Sequence, residues 1–190
     1  MALLIFFKTL AMLCILVSVS SLPSIVLSVP SFTRIPLPPS VSRGCRIIFL
    51  RVARWNILYR RTNGRLATSI ATSADGEPFR FCNSVDVDQQ TGVVFFTNGS
   101  TIYDLRNFEA ILTGDSTGRL SKYERRLNKV TVLLWNLSGP VGTAVSEDGS
   151  YVLVSEYIGN RTIKYWIRGV KAYTYQTIGF RERPDNIRRI

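Results

Sequence analysis

The stretch "VDVDQQTGVVFFTNGSTIYD", Val85 to Asp104, decides how this chain is expected to fold. Val85 and Val87 alternate with Asp86 and Asp88, so one side of the segment is apolar and the other polar. Gln89-Gln90-Thr91-Gly92 then reads as a turn, and Val93-Val94-Phe95-Phe96 is a β-branched and aromatic run. Alternation, a glycine-bearing turn and a second apolar run predict a β-hairpin. The apolar run ends in the polar patch Asn98-Gly99-Ser100-Thr101. What those four residues do at the end of an apolar strand is the second question the stretch raises.

The hairpin has a second copy. "TAVSEDGSYVLVSEY", Thr143 to Tyr157, repeats the order of strand, Gly149-bearing turn and apolar strand, with Thr143 lying 59 residues after Ser84. Each copy is followed by a similar element, "GRLSKYE" from Gly118 and "NRTIKYWI" from Asn160. Each of these leads into another β-rich run, "KVTVLLWNL" and then "AYTYQTIGF". Four short strands per repeat is the signature of a β-propeller blade. "GRLATSIAT", Gly64 to Thr72, reads as the last two strands of a preceding blade. The competing reading is an unrelated set of antiparallel hairpins in a sandwich.

Composition narrows the class. The chain has 190 residues with 46% hydrophobic and 19% charged, enough for one domain with a core and too apolar for a disordered chain. Its first segment, "MALLIFFKTLAMLCILVSVSSLPS", has one Lys, no acid, an apolar stretch and a small-residue tail. It reads as a secretory signal peptide, residues 1–20, cut after Ser20. An uncleaved signal anchor is the alternative, and through it the chain would associate with a membrane. Pro23 interrupts the apolar character and leaves the clean span short for a membrane helix.

The net charge of +11 raises the question of nucleic acid. Its distribution argues against that partner. Eight Arg and no acid fall between Arg34 and Arg65, whereas residues 66 to 190 hold 15 basic and 13 acidic side chains. The basicity is thus concentrated between Arg34 and Arg65, most of it in a Pro/Arg-rich segment, residues 21–63, without a clear strand-turn rhythm. That segment is read as atypical, with a nucleic-acid or anionic-membrane patch as the lesser alternative. Of the three cysteines, Cys14 belongs to the signal. Cys45 and Cys82 either pair in an oxidising lumen or stay as two thiols. The second is favoured, since Cys82 follows Phe81 in an apolar run. Asn98, Asn136 and Asn160 each open an N-x-S/T sequon at a predicted strand end or turn, so each is a candidate glycosylation site in a secreted chain.

From about Gly64 onward the chain resembles the strictosidine synthase-like family of plants. The resemblance is carried by "LATSIATSADGEPFRF", "VDVDQQTGVVFFTNGSTIYD", "TGRLSKYE", "VSEDGSYVLVSEYIGNRTIKYWI" and "PDNIRRI". It implies a six-bladed β-propeller over residues 64–190, a luminal, vacuolar or extracellular setting, glycosylation and a small plant metabolite as ligand. The name-giving enzyme condenses tryptamine with secologanin, using a Glu as general acid/base. That Glu is expected beyond the region matching "PDNIRRI", and the chain contains no His to stand in for the family's pocket histidines. The resemblance places Phe81 at a pocket Trp, Gly99 at a pocket Val, Leu112 at a Met, Gly139 at a second Val and Tyr157 at a Phe. Those substitutions point to hydrolase-like rather than condensing chemistry. Ordinary core packing is the competing reading for Phe81 and Tyr157.

Related propellers bind calcium in the central channel through Asn and Asp oxygens. The resemblance places Asn83, Asp185 and Asn186 at such positions, with Gly142 where the intervening blade would offer an Asn. The competing reading is that Asn83 and Asn186 satisfy backbone groups at turns. Six blades of about 50 residues need roughly 300 residues. The expectation is therefore an open, truncated fan of about two and a half blades, acting either as a family-type enzyme or as a non-catalytic binding remnant.

Overall fold

The computed structural model describes residues 3–7, 47–53, 56–61 and 68–189, with side chains described within 69–187. The strands are β1 (Leu3–Phe7), β2 (Ile47–Ala53), β3 (Asn56–Arg61), β4 (Thr68–Ala71), β5 (Ser73–Ala74), β6 (Glu77–Pro78), β7 (Cys82–Val87) and β8 (Val94–Asn98). After a short helix α1 (Phe108–Leu112) come β9 (Gly118–Glu124), β10 (Lys129–Leu137), β11 (Pro140–Val145) and β12 (Tyr151–Glu156). The last strands are β13 (Arg161–Trp166), β14 (Tyr175–Gly179) and β15 (Pro184–Arg189). Two antiparallel four-stranded sheets, β7-β8-β9-β10 and β11-β12-β13-β14, match the two predicted repeats. A three-stranded sheet β2-β3-β4 precedes them. β15 pairs with β1, Ile5 opposite Ile187, so a cut after Ser20 would leave β15 without that partner.

The hairpin that opened the sequence reading forms as expected. Val87 faces Val94 and Val85 faces Phe96 across β7 and β8. The turn is built by Asp88, whose carboxylate accepts the Gln90 N–H at 3.0 Å and the Thr91 hydroxyl, and Gly92 takes the positive φ of 73° that closes it. In the second copy Ser146 accepts the Tyr151 N–H at 3.0 Å and Gly149 has φ 64°. Hydrogen bonds from Ser146 and Ser150 hold the Asp148 carboxyl in that turn down at about 2.

Strand β8 is buried along its whole length, and this explains its unbroken apolar run. Val94 and Phe96 face a cluster with Phe79, Cys82, Val87 and Tyr123, on the side of the first sheet. Phe95 faces the other way, into a cluster with Leu120, Val145, Val152, Val154 and Ile163 that joins the second sheet to the third. One strand thus contributes to both interfaces. Cys82 is a free buried thiol, pushed up to about 12 by that burial, while Cys45 lies outside the described residues.

Successive sheets are joined at their inner strands. β11 packs beside β7, and β15 packs beside β11. The Ser84 hydroxyl accepts the Thr143 N–H at 3.0 Å, and the Asp86 carboxylate accepts the Val145 N–H at 2.7 Å. The 59-residue repeat therefore places the Ser84 side chain on the backbone of its own counterpart. Farther out, the Asp88 carboxylate pairs with Arg168, and the Gln90 side-chain oxygen accepts from Arg168 at 3.0 Å. The Gly149 Cα stands so close that a Cβ there would lie 3.0 Å from Asp88 Oδ1.

Two expectations need correction. Within "GRLATSIAT" the described residues, 68–72, supply one strand, β4, where two were expected of the stretch. Its partners come from the segment read as lacking strand rhythm, where Ile47–Ala53 and Asn56–Arg61 form a hairpin. Arg54-Trp55 between them contains neither Gly nor Pro, and Arg51 breaks the apolar run. The usual turn signal is therefore missing, although Ile47, Ile48, Phe49 and Val52 are strand-type residues. Helix α1 was also not anticipated. Asp104, whose carboxylate accepts the Arg106 N–H at 2.8 Å, caps the 3-10 turn Leu105–Asn107 that leads into α1, and Phe108, Ile111 and Leu112 follow at helical spacing.

Replacing Asp86 by Ala is expected to lower stability by about 1–3 kcal/mol, because the inward N–H of Val145 loses its acceptor. Urea unfolding of the variant against the parent chain, with an unchanged m-value, measures it.

Candidate functional site

The inner strands β7, β11 and β15 begin at one end of their sheets, and β8 and β12 finish there. Phe81 and Gly99 flank β7 and β8 at this end. The Gly99 N–H donates to the Phe81 carbonyl at 2.6 Å, and the Phe81 N–H donates to Asn98 Oδ1 at 3.0 Å. The Phe81 ring meets Phe108 edge to face, with centroids 6.5 Å apart. Leu112 lies one helical turn beyond Phe108 and is half-buried. Sequence reasoning did not single out Phe108, because its partner ring is 27 residues away and only the fold joins them.

The next sheet repeats this arrangement. The Tyr157 N–H donates to the Gly139 carbonyl at 3.0 Å, and the Arg183 guanidinium lies 5.2 Å from the Tyr157 ring centroid. Phe81 with Gly99, and Gly139 with Tyr157, are thus two adjoining pairs on one face. Both glycines answer to local sterics. A Cβ on Gly99 would sit 2.7 Å from the Phe81 ring, and one on Gly139 would sit 2.8 Å from Ile158 Cδ1 at a backbone φ of 59°. At both positions the resemblance leads one to expect Val, and neither site has room for it.

The carboxylate beside Tyr157 is occupied. Glu156 has no exposed surface, accepts the Ser138 N–H at 2.5 Å and forms an ion pair with Arg161. Arg161 is raised above its ordinary range, chiefly by its hydrogen bond to Glu156. This pair joins the β10–β11 and β12–β13 connections and leaves no oxygen free for proton transfer. Glu147 is exposed in the β11–β12 turn, at the opposite end of the strands.

Asn83 lies on β7, and Asp185 and Asn186 lie on β15, with β11 between them. The missing Asn at Gly142 has a steric reason. A Cβ there would stand 2.6 Å from the Asp185 carbonyl oxygen and would crowd the Ser155 hydroxyl, which donates to that same oxygen. Among the described residues no group of three or more His, Cys, Asp and Glu could hold a metal. Calcium takes about 6–8 oxygens, and a bare glycine backbone divides this donor set. Asn83, Asp185 and Asn186 alone offer three side chains, fewer than a calcium shell takes.

The sequons separate by burial. Asn98 has no exposed surface, and its side-chain oxygen is tied to Phe81, so a glycan there is incompatible with this fold. The patch Asn98-Gly99-Ser100-Thr101 is instead a structural joint. Ser100 Oγ accepts the Ile102 and Tyr103 N–H groups at 3.1 and 2.9 Å, and Thr117 Oγ1 accepts the Thr101 N–H at 3.0 Å. Asn136 and Asn160 are exposed, at φ 57° and 49°.

Sheets joined inner strand to inner strand define the β-propeller class. Solved structures agree at the level of fold. A protein assigned as a gluconolactonase matches with a TM-score of 0.52 and 17% identity, over 70% of this chain and 46% of its own. A chain of a nidogen/laminin complex matches with a TM-score of 0.51 and 13% identity, over 73% of this chain and 45% of its own. The family model for strictosidine synthase matches residues 83–170. Strictosidine synthase-like protein 11 of Arabidopsis thaliana is 46% identical over 129 residues, 67% of this chain and 39% of the relative. Strictosidine synthase of Catharanthus roseus is 43% identical over 129 residues, 66% of this chain and 37% of the relative. This chain belongs to the strictosidine synthase-like family. It spans about two fifths of the length of these relatives.

Two outcomes are expected. Gly139→Val should destabilise the chain by about 1–3 kcal/mol through overpacking and a disfavoured φ, read by thermal unfolding. Glycopeptide mapping after expression in plant cells should find sugar at Asn136 or Asn160 and none at Asn98.

Proposed function

We propose that this chain is a strictosidine synthase-like protein of plant secondary, alkaloid-type metabolism, closer to the hydrolase-like members than to a true strictosidine synthase. It enters the secretory pathway and resides in the vacuole, the lumen or outside the cell. Its ligand is a small plant metabolite, received at the face where Phe81, Gly99, Leu112, Gly139 and Tyr157 lie. The observation that carries this reading is the pairing of aromatic side chains with glycines that have no room for a Cβ. It reshapes the walls that the condensing enzyme would need and keeps flat apolar surfaces for a ring-bearing ligand.

A binding role for the 190-residue chain is favoured by Glu156, whose carboxylate is spent on Ser138 and Arg161. Loss of a positioned general acid/base typically costs about 10²–10⁴-fold in rate. Purified chain given tryptamine and secologanin is expected to yield no stereospecific product above a protein-free control. A single stereoisomer above that control would overturn the reading. Calorimetric titration with tryptamine tests binding separately, and loss of heat in Tyr157→Ala would locate it.

A further inference from the structure

The side of the second sheet turned toward the first carries a buried cation with an open hydrogen-bonding edge. Arg119 on β9 has no exposed surface. Its register partner on β8 is Asn98, and the partner of Asn98 on β7 is Cys82, so the three lie in one row. Arg119 Nη1 donates to the Ala74 carbonyl at 3.4 Å, and the guanidinium lies 5.4 Å from the Trp135 ring centroid. Arg119 Nε and Nη2 have no partner, and neither has Asn98 Nδ2.

The pattern of free atoms is specific. Nε and Nη2 form the edge of a guanidinium that presents two parallel N–H groups, which is the edge a carboxylate accepts in a bidentate pair. Buried donors without an acceptor are costly, and the register partners Arg119 and Asn98 leave three of them. Cys82, next in the row, stays a neutral thiol well above neutral pH and supplies no anion.

The hairpin β5–β6 touches Arg119 through Ala74. Each of its strands has two residues, turned at Asp75 and Gly76 with φ 50° and 81°. So short a ladder has little stability of its own and is held by Ala74 and Phe79, which pack in the core on either side of the turn. Glu77 and Asp75 on this hairpin act on Arg119 through space, against the burial that pulls its guanidinium below the ordinary range.

We propose that the Nε/Nη2 edge of Arg119 and Nδ2 of Asn98 form a carboxylate-binding site beneath the β5–β6 hairpin. The carboxylate has two sources: a small free carboxylate that displaces the hairpin, or Glu77 or Asp75 turned inward. This assignment does not rest on the proposed function, although Asn98 also holds Phe81 through its side-chain oxygen.

Thermal unfolding of the full chain in sodium acetate, against sodium chloride at equal ionic strength and pH, tests it. A free ligand raises the melting temperature in acetate in the parent chain and not in Arg119→Lys, which keeps the charge and loses the two-pronged edge. A side-chain source lowers the melting temperature of Glu77→Gln or Asp75→Asn, and acetate restores it. Asn98→Asp keeps the acceptor for Phe81 and sets a carboxylate beside Arg119. It should raise the melting temperature and abolish the acetate response, which keeps the test decisive if Arg119→Lys fails to fold. Equal melting in acetate and chloride for the parent and both amide variants would overturn the proposal. So would an acetate response that survives in Arg119→Lys, or a destabilised Asn98→Asp that still responds.

Discussion

The hydrogen bond from the Val145 N–H to the Asp86 carboxylate, with its neighbour from Thr143 to Ser84, is the constraint on which the rest of the fold depends. An inner strand of a propeller has one edge without a strand partner. Its inward N–H groups would otherwise face a crowded channel unpaired. Short polar side chains on the preceding inner strand, Ser84 and Asp86, reach them. This gives a reason for the valine and aspartate alternation in β7. Val85 and Val87 pack toward the first sheet, while Ser84 and Asp86 serve the next one.

That spacing sets the geometry of the candidate ligand face. Once β7, β11 and β15 are drawn together, their beginnings are crowded. Gly142 is the clearest consequence, since any side chain there would meet the Asp185 carbonyl and the Ser155 hydroxyl. The same crowding removes a donor from the calcium set. Close packing between inner strands and a shared metal cage compete for the same space here, and packing prevails. Gly99 and Gly139 obey a similar rule, each yielding to a large neighbour, Phe81 and Ile158.

Polar residues inside the structure divide into two kinds. Glu156, Asp88 and Ser100 have their hydrogen bonds satisfied, and they fix turns or join neighbouring connections. Arg119 and Asn98 keep unpaired donors in a region shielded from water. The first kind stabilises the fold through complete pairing, whereas the second leaves an electrostatic deficit. Both kinds arise in strands that the hydrophobic pattern places inside, so burial alone does not distinguish them.

The four-strand repeat and both glycine-bearing turns were legible from residue order. They rest on local rules, namely alternation, turn chemistry and apolar run length. The hairpin Ile47–Ala53 with Asn56–Arg61 was not legible, because its turn carries no Gly or Pro and its partner β4 lies beyond it in sequence. At the candidate ligand face, the family resemblance singled out Phe81, Gly99, Leu112, Gly139 and Tyr157 as separate candidates. Only tertiary structure showed that the glycines are there to clear Phe81 and Ile158. It also showed that Asn98 is a buried joint rather than a sugar acceptor, and that Arg119 lies in the interior. A sequon and an arginine read as surface features by composition. Their burial depends on which sheet lies against them, and that is decided by contacts between residues far apart in the chain.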